Sequence, residues 1–396
     1  MNSPTKRSKH KHASLEGIFE GLHIESNPIS PLTHMPSTRI NLVRSLRQHM
    51  HSTLSLGGGT VSIRRDGVPT QFTIAMDEVY DYKIGRHEFD PETVFPEIIA
   101  LGDQLSAVLS ERLTSDQKTA LDDSILACLV SLVYGSNMIE RAGAGPDITL
   151  KLCMEIFQGH EVPEEIGETD EEFAALKKEL IESNRPADTT AVLRTRREII
   201  QHAKAASYII NQLCLHDHDL DEDVILKTHR ILTYKVDAEG TPWTEYSGVY
   251  RTDNVRAGFH SFPSPRSVPG RMKAMIRELK SDLEKATQKG TFDPIAIASK
   301  YTHIFVNIHP FIDGNGRMCR LILNAMLLKL GNFLVTIGAN GEDRSLYLDV
   351  AAGGSMLEDT YGDLDEDEKP VMYKELASFV MSHMKKIMGK LVGAIS

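Results

Sequence analysis

The chain contains one dense run of polar, aromatic and glycine residues, HPFIDGNGRMCR, which extends from His309 to Arg320. Apolar residues at helical spacing precede this run, and a second apolar helical pattern follows it. The proline and the Gly-Asn-Gly sequence within it favour a tight loop between two helices. The second helix would begin at Gly314 to Gly316 with unpaired backbone amides, and such a terminus attracts anions, phosphate above all.

Four side chains of this loop add chemistry that suits phosphate. Arg317 and Arg320 are three residues apart, so they share a helix face from which guanidinium groups can bind phosphate oxygens. Asp313 is a hard oxygen ligand that suits a magnesium ion held jointly with phosphates. His309 titrates near neutrality and can accept a proton from an incoming nucleophile. Each residue alone has a structural explanation, such as a helix cap, but together they predict a site for phosphate chemistry.

These residues match the signature HPFx(D/E)GNGRxxR at every fixed position, so the chain resembles the Fic family over about residues 125–355. The resemblance implies a mainly α fold, a Fic-type helical bundle with a small β-hairpin flap and a partly disordered N-terminal extension. It implies that His309 deprotonates a hydroxyl of a target protein, and that this oxygen attacks the α-phosphorus of ATP. Asp313 would hold Mg²⁺ against the α- and β-phosphates, and pyrophosphate would leave.

The resemblance also assigns the nucleotide-binding residues, which lie at the start of the second helix or on the adenine side: Gly314, Asn315, Gly316, Arg317, Arg320 and Tyr347. The Gly-Asn-Gly run would form the anion cradle, and Arg317 would bind phosphate as well. Arg320 would bind the γ-phosphate and orient ATP for in-line attack. Tyr347 ends a segment, Arg344-Ser345-Leu346-Tyr347, that would border the adenine.

A segment ahead of the loop resembles the flap hairpin of the family. Residues 246–262 have an extended pattern, and Val249, Tyr250 and Val255 are the residues that we expect to dock a target protein. The target would join the flap as an added strand, a mode in which backbone hydrogen bonds supply affinity and little sequence information.

Further upstream, Ser136-Asn137-Met138-Ile139-Glu140 resembles the inhibitory pattern (S/T)xxxE(G/N) of the family. In relatives this glutamate pairs with the arginine equivalent to Arg320 and blocks the productive γ-phosphate position. A carboxylate there neutralises the cation that ATP needs and repels its phosphates. Ser136 and Glu140 are therefore the inhibitory residues that the resemblance implies. The last position departs from the pattern, because Arg141 replaces Gly or Asn and could tilt the helix or pair with Glu140.

Three functions are compatible with these residues. The first is a protein adenylyltransferase, a nucleotidyltransferase that moves AMP from ATP to a Ser, Thr or Tyr hydroxyl and is autoinhibited by Glu140. The second is a deAMPylase that uses the same site, with Glu140 positioning water, to remove AMP from a modified protein. The third is a catalytically silent binding module, which would have no chemical need of the intact loop. The implied partner is a target protein at the flap, and self-modification and a homodimer are both compatible with this interpretation.

Composition argues against other classes of protein. Hydrophobic residues make up 41% and charged residues 25% of the chain, as in ordinary soluble proteins. The formal net charge of -11 argues against a nucleic-acid partner, whose binding surface is normally basic. The four cysteines form no CxxC pair, and no run of 18 apolar residues is uninterrupted. We therefore expect no membrane partner and a cytoplasmic location, with the nucleus also compatible.

The pattern along the chain predicts successive regions. The first is rich in Ser, His, Pro and Lys and is expected to be largely disordered. The second carries a hairpin pattern around Asp66-Gly67. In chain order the regions are the disordered segment 1–55, an N-terminal extension of undetermined fold 56–120, a helical region with the inhibitory motif 121–200, and the Fic domain 201–392, with its flap at 246–262 and its active-site loop at 309–320.

Overall fold

The computed structural model describes residues 40–54, 59–65, 68–257, 260–362, 364–365 and 368–396, which belong to one structural unit. As predicted, the architecture is mainly helical with small β elements. The helices are α1 Leu42–Leu54, α2 Pro91–Ser110, α3 Ser115–Ile139, α4 Pro146–Phe157, α5 Glu171–Glu182, α6 Thr189–Ile210, α7 Glu222–Leu232, α8 Trp243–Tyr246, α9 Val268–Lys289, α10 Pro294–Ile308, α11 Asn315–Gly331, α12 Gly341–Tyr361 and α13 Lys374–Ile395. The strands are β1 Thr60–Arg65, β2 Val68–Ile74, β3 Lys83–Ile84, β4 His87–Glu88, β5 Arg256–Ala257, β6 His260–Ser261 and β7 Thr291–Phe292.

Helix α1 corrects the prediction that residues 1–55 are largely disordered. Leu42, Leu46 and Met50 recur every four residues, form one apolar stripe and are buried where α1 packs on α2 and α3. Burial of this stripe stabilises a helix that the polar composition of the surrounding segment does not predict. The remainder of the predicted disordered segment lies outside the described residues.

The N-terminal extension shares its sheet with the region predicted to be the catalytic domain. Strands β1 and β2 pair antiparallel with Val61 opposite Phe72, which confirms the predicted hairpin; its turn residues lie outside the described chain. Strand β2 also pairs in parallel with β7, which immediately precedes α10. The Phe72 and Phe292 rings meet edge to face, with centroids 5.1 Å apart. The region predicted as a separate extension, 56–120, is therefore joined to the element that leads into the active-site loop.

Helix α10 begins at a cap that connects distant parts of the chain. The Asp293 carboxylate accepts bonds from the amides of Ile295 and Ala296, at 2.9 and 3.1 Å, and Pro294 occupies the first turn, as the sequence suggested. The hydroxyl of Tyr80, in the N-terminal extension, also donates to Asp293 at 2.7 Å. Burial raises the pKa of the Asp293 carboxyl to about 6. The start of α10 is thus held in part by Tyr80, a residue that lies far from it in the sequence.

Helix α3 is the longest helix and ends beside α11. By length and hydropathy alone α3 could span a membrane, yet half of its most apolar window is buried and it packs against α1, α4, α6 and α13. Thr114 and Gln117 form a capping box at its start. Near its end, a Cβ on Gly135 would lie 2.2 Å from the Ile337 carbonyl oxygen, so only glycine permits this close approach. The approach fixes the end of α3 against the segment that connects α11 to α12.

Candidate active site

The loop between α10 and α11 reverses the chain through left-handed residues at both of its ends. His309 ends α10 with φ 50°, and Gly314 precedes α11 with φ 81°. Between them, the Asn315 side chain accepts a bond from the Phe311 amide at 3.0 Å and donates to the Phe311 carbonyl at 2.8 Å. The Asn315 side chain therefore braces the loop, and its backbone amide is the group that remains available to an anion at the helix terminus.

The bonds of His309 define its protonation state. Its Nδ1 lies 3.2 Å from the Val306 carbonyl oxygen, which can only accept, so Nδ1 carries the proton and Nε2 is a free acceptor. The ring stacks on Phe262, with centroids 3.7 Å apart. Burial, reinforced by the positive charge of Arg251, lowers the pKa of His309 to about 4. At neutral pH the imidazole is therefore a neutral group that can take a proton at Nε2.

Arg251 connects the flap to the catalytic loop, a role that no sequence pattern indicated. Its side chain is 3% exposed and donates to the carbonyl oxygens of His309 at 2.7 Å, Asp253 at 2.9 Å and Pro263 at 2.6 Å. Its own amide donates to the Pro310 carbonyl at 2.9 Å. One guanidinium thus joins both ends of the flap segment to the backbone of the histidine.

His229 supports the other half of the loop, and the sequence analysis did not identify it. Its ring stacks on Phe311 at 3.6 Å, and the Gly248 amide donates to its Nδ1 at 2.9 Å. Its Nε2 therefore carries the proton and donates to the Asp313 carbonyl at 2.9 Å. A lone histidine within a helical pattern carries no sequence signal for this role, because both partners come from other elements.

His229 should make folding stability sensitive to acid. Burial lowers its pKa to about 4 in the folded protein, against an ordinary value of 6.5. The unfolded chain therefore binds a proton that the folded chain does not between about pH 6.5 and 4, so this contribution to stability is lost as the pH falls through that window. This lowering of the pKa changes the free energy of unfolding by about 3 kcal/mol, since one pKa unit corresponds to about 1.36 kcal/mol. Urea unfolding at pH 7, 5.5 and 4.5 should show a steeper loss for wild type than for His229→Asn; equal slopes would contradict the assignment.

Asp313 and Arg317 form an ion pair on the first turn of α11. Arg317 Nη2 donates to Asp313 Oδ2 at 2.9 Å. Burial opposes ionisation of Asp313, but the charge of Arg317 and a hydrogen bond from the Gly314 amide, with smaller contributions from nearby cations, together hold the pKa of the carboxyl below its usual value. No cluster of three His, Cys, Asp or Glu suited to a metal occurs among the described residues. One partly exposed carboxylate nevertheless fits Mg²⁺, which takes few protein ligands and completes its shell with phosphate and water.

Arg320 is bound by the segment predicted to be inhibitory. It is 2% exposed, and its Nη2 donates to Glu140 Oε1 at 2.6 Å. Its Nε donates to Ser136 Oγ at 2.8 Å, and Nη2 also reaches the Ser136 carbonyl at 3.0 Å. A Cβ on Gly316 would lie 2.2 Å from Glu140 Oε1, so the carboxylate sits directly over the start of α11. The pair suggested by the resemblance is formed, across 180 positions of sequence.

No ion pair between Arg141 and Glu140 occurs among the described residues, because the Glu140 carboxylate binds Arg320 instead. Arg141 follows the capping residue Glu140 with φ 55°, the left-handed conformation that glycine adopts most readily after a helix. Arg141 therefore holds this conformation at the cost of some strain, because it has a Cβ.

Substitution of Arg141 by glycine should stabilise the protein. The left-handed conformation costs a residue with a Cβ about 1–2 kcal/mol, part of which glycine loses again through backbone entropy. A net gain of about 1 kcal/mol is expected, or about 2 °C in Tm. Thermal unfolding checks this, with Arg141→Ala as the matched control: it removes the same charge but retains the Cβ, so it should show no gain. Equal Tm changes in the two variants would contradict the role of strain.

Tyr347 is packed against Arg320, and its role at the adenine stays a prediction. It is 5% exposed, and Arg320 Cζ lies 5.5 Å from the centre of its ring. The ring therefore lies behind Arg320 and supports its guanidinium, and it offers little surface to a base. The predicted adenine segment also contacts the inhibitory helix, because Arg344 Nε donates to the Ile139 carbonyl at 3.0 Å.

The flap is shorter than the extended stretch predicted over 246–262. Strands β5 and β6 pair antiparallel, with Arg256 opposite Ser261, and the residues at 258–259 lie outside the described chain. Of the three predicted docking residues, only Val255 adjoins the hairpin. Tyr250 packs near Phe311 and its hydroxyl donates to Glu222 at 3.0 Å, and Val249 precedes it outside the strands. Docking by Val249 and Tyr250 was predicted from the resemblance to the flap of the family and stays a prediction.

The fold and site together define a helical protein in which a helix terminus without a side-chain cap, two arginines and a neutral histidine lie in and beside one loop. The Fic/DOC family model matches residues 219–327, the part that contains this loop. Residues 219–327 therefore form a Fic/DOC domain within this chain.

Similar proteins agree with this assignment. A Fido domain-containing protein of Dictyostelium discoideum is 39% identical over 97 residues, which cover 24% of this chain and 65% of that protein. A protein adenylyltransferase Fic of Drosophila yakuba is 32% identical over 157 residues, which cover 37% of this chain and 29% of that protein. The chain thus spans less than two thirds of the length of these relatives.

Solved structures show the same fold. A Fic domain containing signaling protein from Bacteroides thetaiotaomicron superposes with a TM-score of 0.53 at 18% identity, over 77% of this chain and 97% of that one. Fic-1 from C. elegans superposes with a TM-score of 0.50 at 20% identity, over 77% of this chain and 73% of that one.

Proposed function

We propose that this protein transfers AMP from ATP to a Ser, Thr or Tyr hydroxyl of a target protein. One observation carries the proposal: His309, with a free acceptor at Nε2, lies in the same loop as the α11 terminus and Arg317. This loop combines a proton acceptor with a cradle for phosphate oxygens, which phosphoryl-group chemistry requires. The relatives called protein adenylyltransferase support the same reaction class.

The residues divide the chemistry between them. The target hydroxyl gives its proton to His309 Nε2 as its oxygen forms a bond to the α-phosphorus. The bond from that phosphorus to the bridging oxygen of pyrophosphate breaks, and pyrophosphate leaves with the electron pair. The amides at Gly314 to Gly316 face the developing negative charge on the phosphate oxygens. Catalysis here is mainly positioning and charge stabilisation.

Asp313 is the residue that would hold magnesium, jointly with the phosphates of ATP. A bound Mg²⁺ would neutralise charge on the phosphate oxygens. The ion pair of Asp313 with Arg317 keeps the carboxyl ionised, as metal binding requires.

Glu140 restrains the reaction in this proposal. Its carboxylate occupies Arg320 and the space over Gly316, so the γ-phosphate of ATP would meet a negative charge where it needs a positive one. The end of α3 is packed tightly against 335–338, so release requires movement of the side chain more than of the helix.

Removal of AMP from a modified protein is a second candidate function. The side chain of Glu140 is 37% exposed, although one of its oxygens binds Arg320. A carboxylate in this position can hold a water molecule for attack on a phosphorus atom of bound AMP-protein. The two reactions share His309 and the anion cradle, and they differ in whether Glu140 is needed.

The target protein would dock at the β5–β6 hairpin. A cavity of about 730 Å³ lies beside this hairpin, lined by His260 and Ser261 of β6 together with residues of α9, α10 and α12. An added strand on the hairpin would lie at the mouth of this cavity, where target side chains have room.

ATP labelled at the α-phosphate or at the γ-phosphate tests the proposed reaction. Incubation with magnesium and α-³²P-ATP should label protein, whereas γ-³²P-ATP should give labelled pyrophosphate and unlabelled protein. Protein labelled from the γ-position would indicate phosphate transfer and reject AMP transfer. Both ATP preparations are used at equal specific activity, and the protein is heat-denatured before counting, so that bound nucleotide is released and only covalent label remains. A sample with EDTA, which removes magnesium, serves as the control.

A further inference from the structure

The turn that carries Glu140 begins inside α3 and is closed by a backbone bond. The amide of Ala142 donates to the carbonyl of Asn137 at 2.9 Å. Glu140 lies between these two residues, so the position of the turn sets the point from which its carboxylate extends. The 2.6 Å bond to Arg320 depends on that position, because hydrogen bonds have narrow limits of distance and angle.

His202 of α6 binds the side chain at the first residue of this turn. Its Nδ1 lies 2.8 Å from Asn137 Oδ1, and the two residues are 0% and 2% exposed. An amide oxygen can only accept, so Nδ1 of His202 carries the proton and donates. The bond lies in the packed interior, where the low dielectric strengthens it, and it fixes Asn137 in a defined direction.

The surroundings of His202 keep its ring neutral. Burial, together with the positive charges of Arg317 and Arg320, holds the pKa of His202 well below its ordinary value. A neutral imidazole has one N–H group, and in His202 that group is committed to Asn137. Replacement of His202 therefore removes this bond without removing a charge from the site.

Helix α6 and the segment before it also hold the far end of the turn. The amide of Gly143 donates to the carboxylate of Glu198 at 2.7 Å, and Arg185 Nη1 donates to the Gly143 carbonyl at 2.7 Å. Glu198 lies one helical turn before His202, so both side chains extend from the same face of α6. A Cβ on Gly143 would lie 3.0 Å from Asn137 Nδ2, so the two ends of the turn are packed together.

We propose that His202 is a positioning residue for inhibition by Glu140. Its bond to Asn137 holds the turn where the Glu140 carboxylate reaches Arg320, so loss of the bond weakens the block on the γ-phosphate position. His202 is fully buried and acts on the site through Glu140. The inference rests on the proposed function, which assigns the restraint to Glu140, but nucleotide binding reports that restraint without any transfer.

Calorimetric titration with ATP and with AMP tests the positioning role in His202→Leu, a variant that fills much of the ring volume and has no donor. ATP affinity should rise by about 5-fold, roughly the factor to which one net hydrogen bond corresponds. AMP has no γ-phosphate, so its affinity should not change. In a Glu140→Gly background, His202→Leu should leave ATP affinity unchanged, because the carboxylate that it positions is absent.

Three further variants distinguish positioning from a general loss of packing. His202→Asn keeps an N–H donor near the position of Nδ1, so it should retain the ATP affinity of wild type. Asn137→Ala removes the same bond from the other side and should match His202→Leu, which keeps the test valid if His202→Leu does not fold. Ser207→Ala loses a buried 2.9 Å hydroxyl bond within α6 and should change neither affinity.

Unchanged ATP affinity in folded Asn137→Ala and His202→Leu would overturn the positioning role. An equal change with and without Glu140→Gly would also overturn it, because His202 would then act on the fold or on the nucleotide site directly. The rate of AMP labelling, measured in parallel, separates this inference from the proposed function. Labelling that rises in Glu140→Gly and ignores His202→Leu rejects only the inference. The expected pattern of ATP affinity, without label in any variant, supports the inference and rejects AMP transfer.

Discussion

Replacement of Glu140 by glycine should raise AMP transfer by about 10- to 100-fold. Its carboxylate accepts a 2.6 Å bond from Arg320, which is almost fully buried. A hydrogen bond to a charged group contributes about 1.5–3 kcal/mol, and each 1.36 kcal/mol is about a tenfold change in rate. Loss of the carboxylate frees Arg320 for the γ-phosphate and removes the negative charge over Gly316. Both changes favour productive binding of ATP.

The measurement is the initial rate at which α-³²P-ATP labels the protein itself and added candidate targets. Glu140→Gln is the matched variant, because it keeps the size of the side chain and removes its charge, so its rate should lie between those of wild type and Glu140→Gly. A lower or unchanged rate in Glu140→Gly would argue against restraint by this residue. If Glu140→Gly also preserved AMP on a modified protein that wild type strips, AMP removal would become the favoured function.

Substitution of His309 by alanine should lower AMP transfer by about 10²- to 10⁴-fold, the range expected for loss of a general base. Nε2 of His309 is the acceptor available at neutral pH, because Nδ1 donates to the Val306 carbonyl. The phosphate cradle proposed at the start of α11 does not use the histidine side chain. ATP should therefore still bind, and the loss should fall on turnover.

The variant His309→Asn distinguishes loss of the proton acceptor from disturbance of the backbone at this position. His309 has φ 50°, a conformation that asparagine tolerates better than alanine does. Asparagine therefore preserves the turn while offering no group that can take the proton. The rates of both variants, in a Glu140→Gly background, should fall by similar factors with ATP affinity retained. Substantial transfer in His309→Asn would remove His309 from the role of base.

Local signals in the sequence were sufficient for much of the fold. The Asp293-Pro294 cap, the hairpin around Asp66-Gly67 and the helices on both sides of the catalytic loop follow from interactions within a few residues. The sequence also contains the apolar stripe of α1, in which Leu42, Leu46 and Met50 recur every four residues. The polar composition of the surrounding segment favoured disorder, so this short pattern did not predict a helix. Packing on α2 and α3 supplies the stability that composition did not predict.

Three residues have features that their position in a motif does not indicate. Tyr347 lies against Arg320, and Tyr250 donates to Glu222, so each is held by a partner from a distant element. Arg141 has a left-handed backbone, and Glu140 beside it binds Arg320. In all three cases a long-range contact or a backbone conformation adds what the local pattern does not show.

The chemistry of the loop from His309 to Arg320 could be predicted from the sequence, because its histidine, carboxylate, amides and arginines lie in one short continuous stretch. Short spacing alone brings these groups together. Tertiary structure decided the rest. The pair of Glu140 with Arg320 joins residues 180 positions apart. The proton positions on His229 and His309 depend on which carbonyl or amide packing brings near, and their lowered pKa values on burial. Desolvation and long-range hydrogen bonding exist only in the packed chain, so no local pattern encodes them.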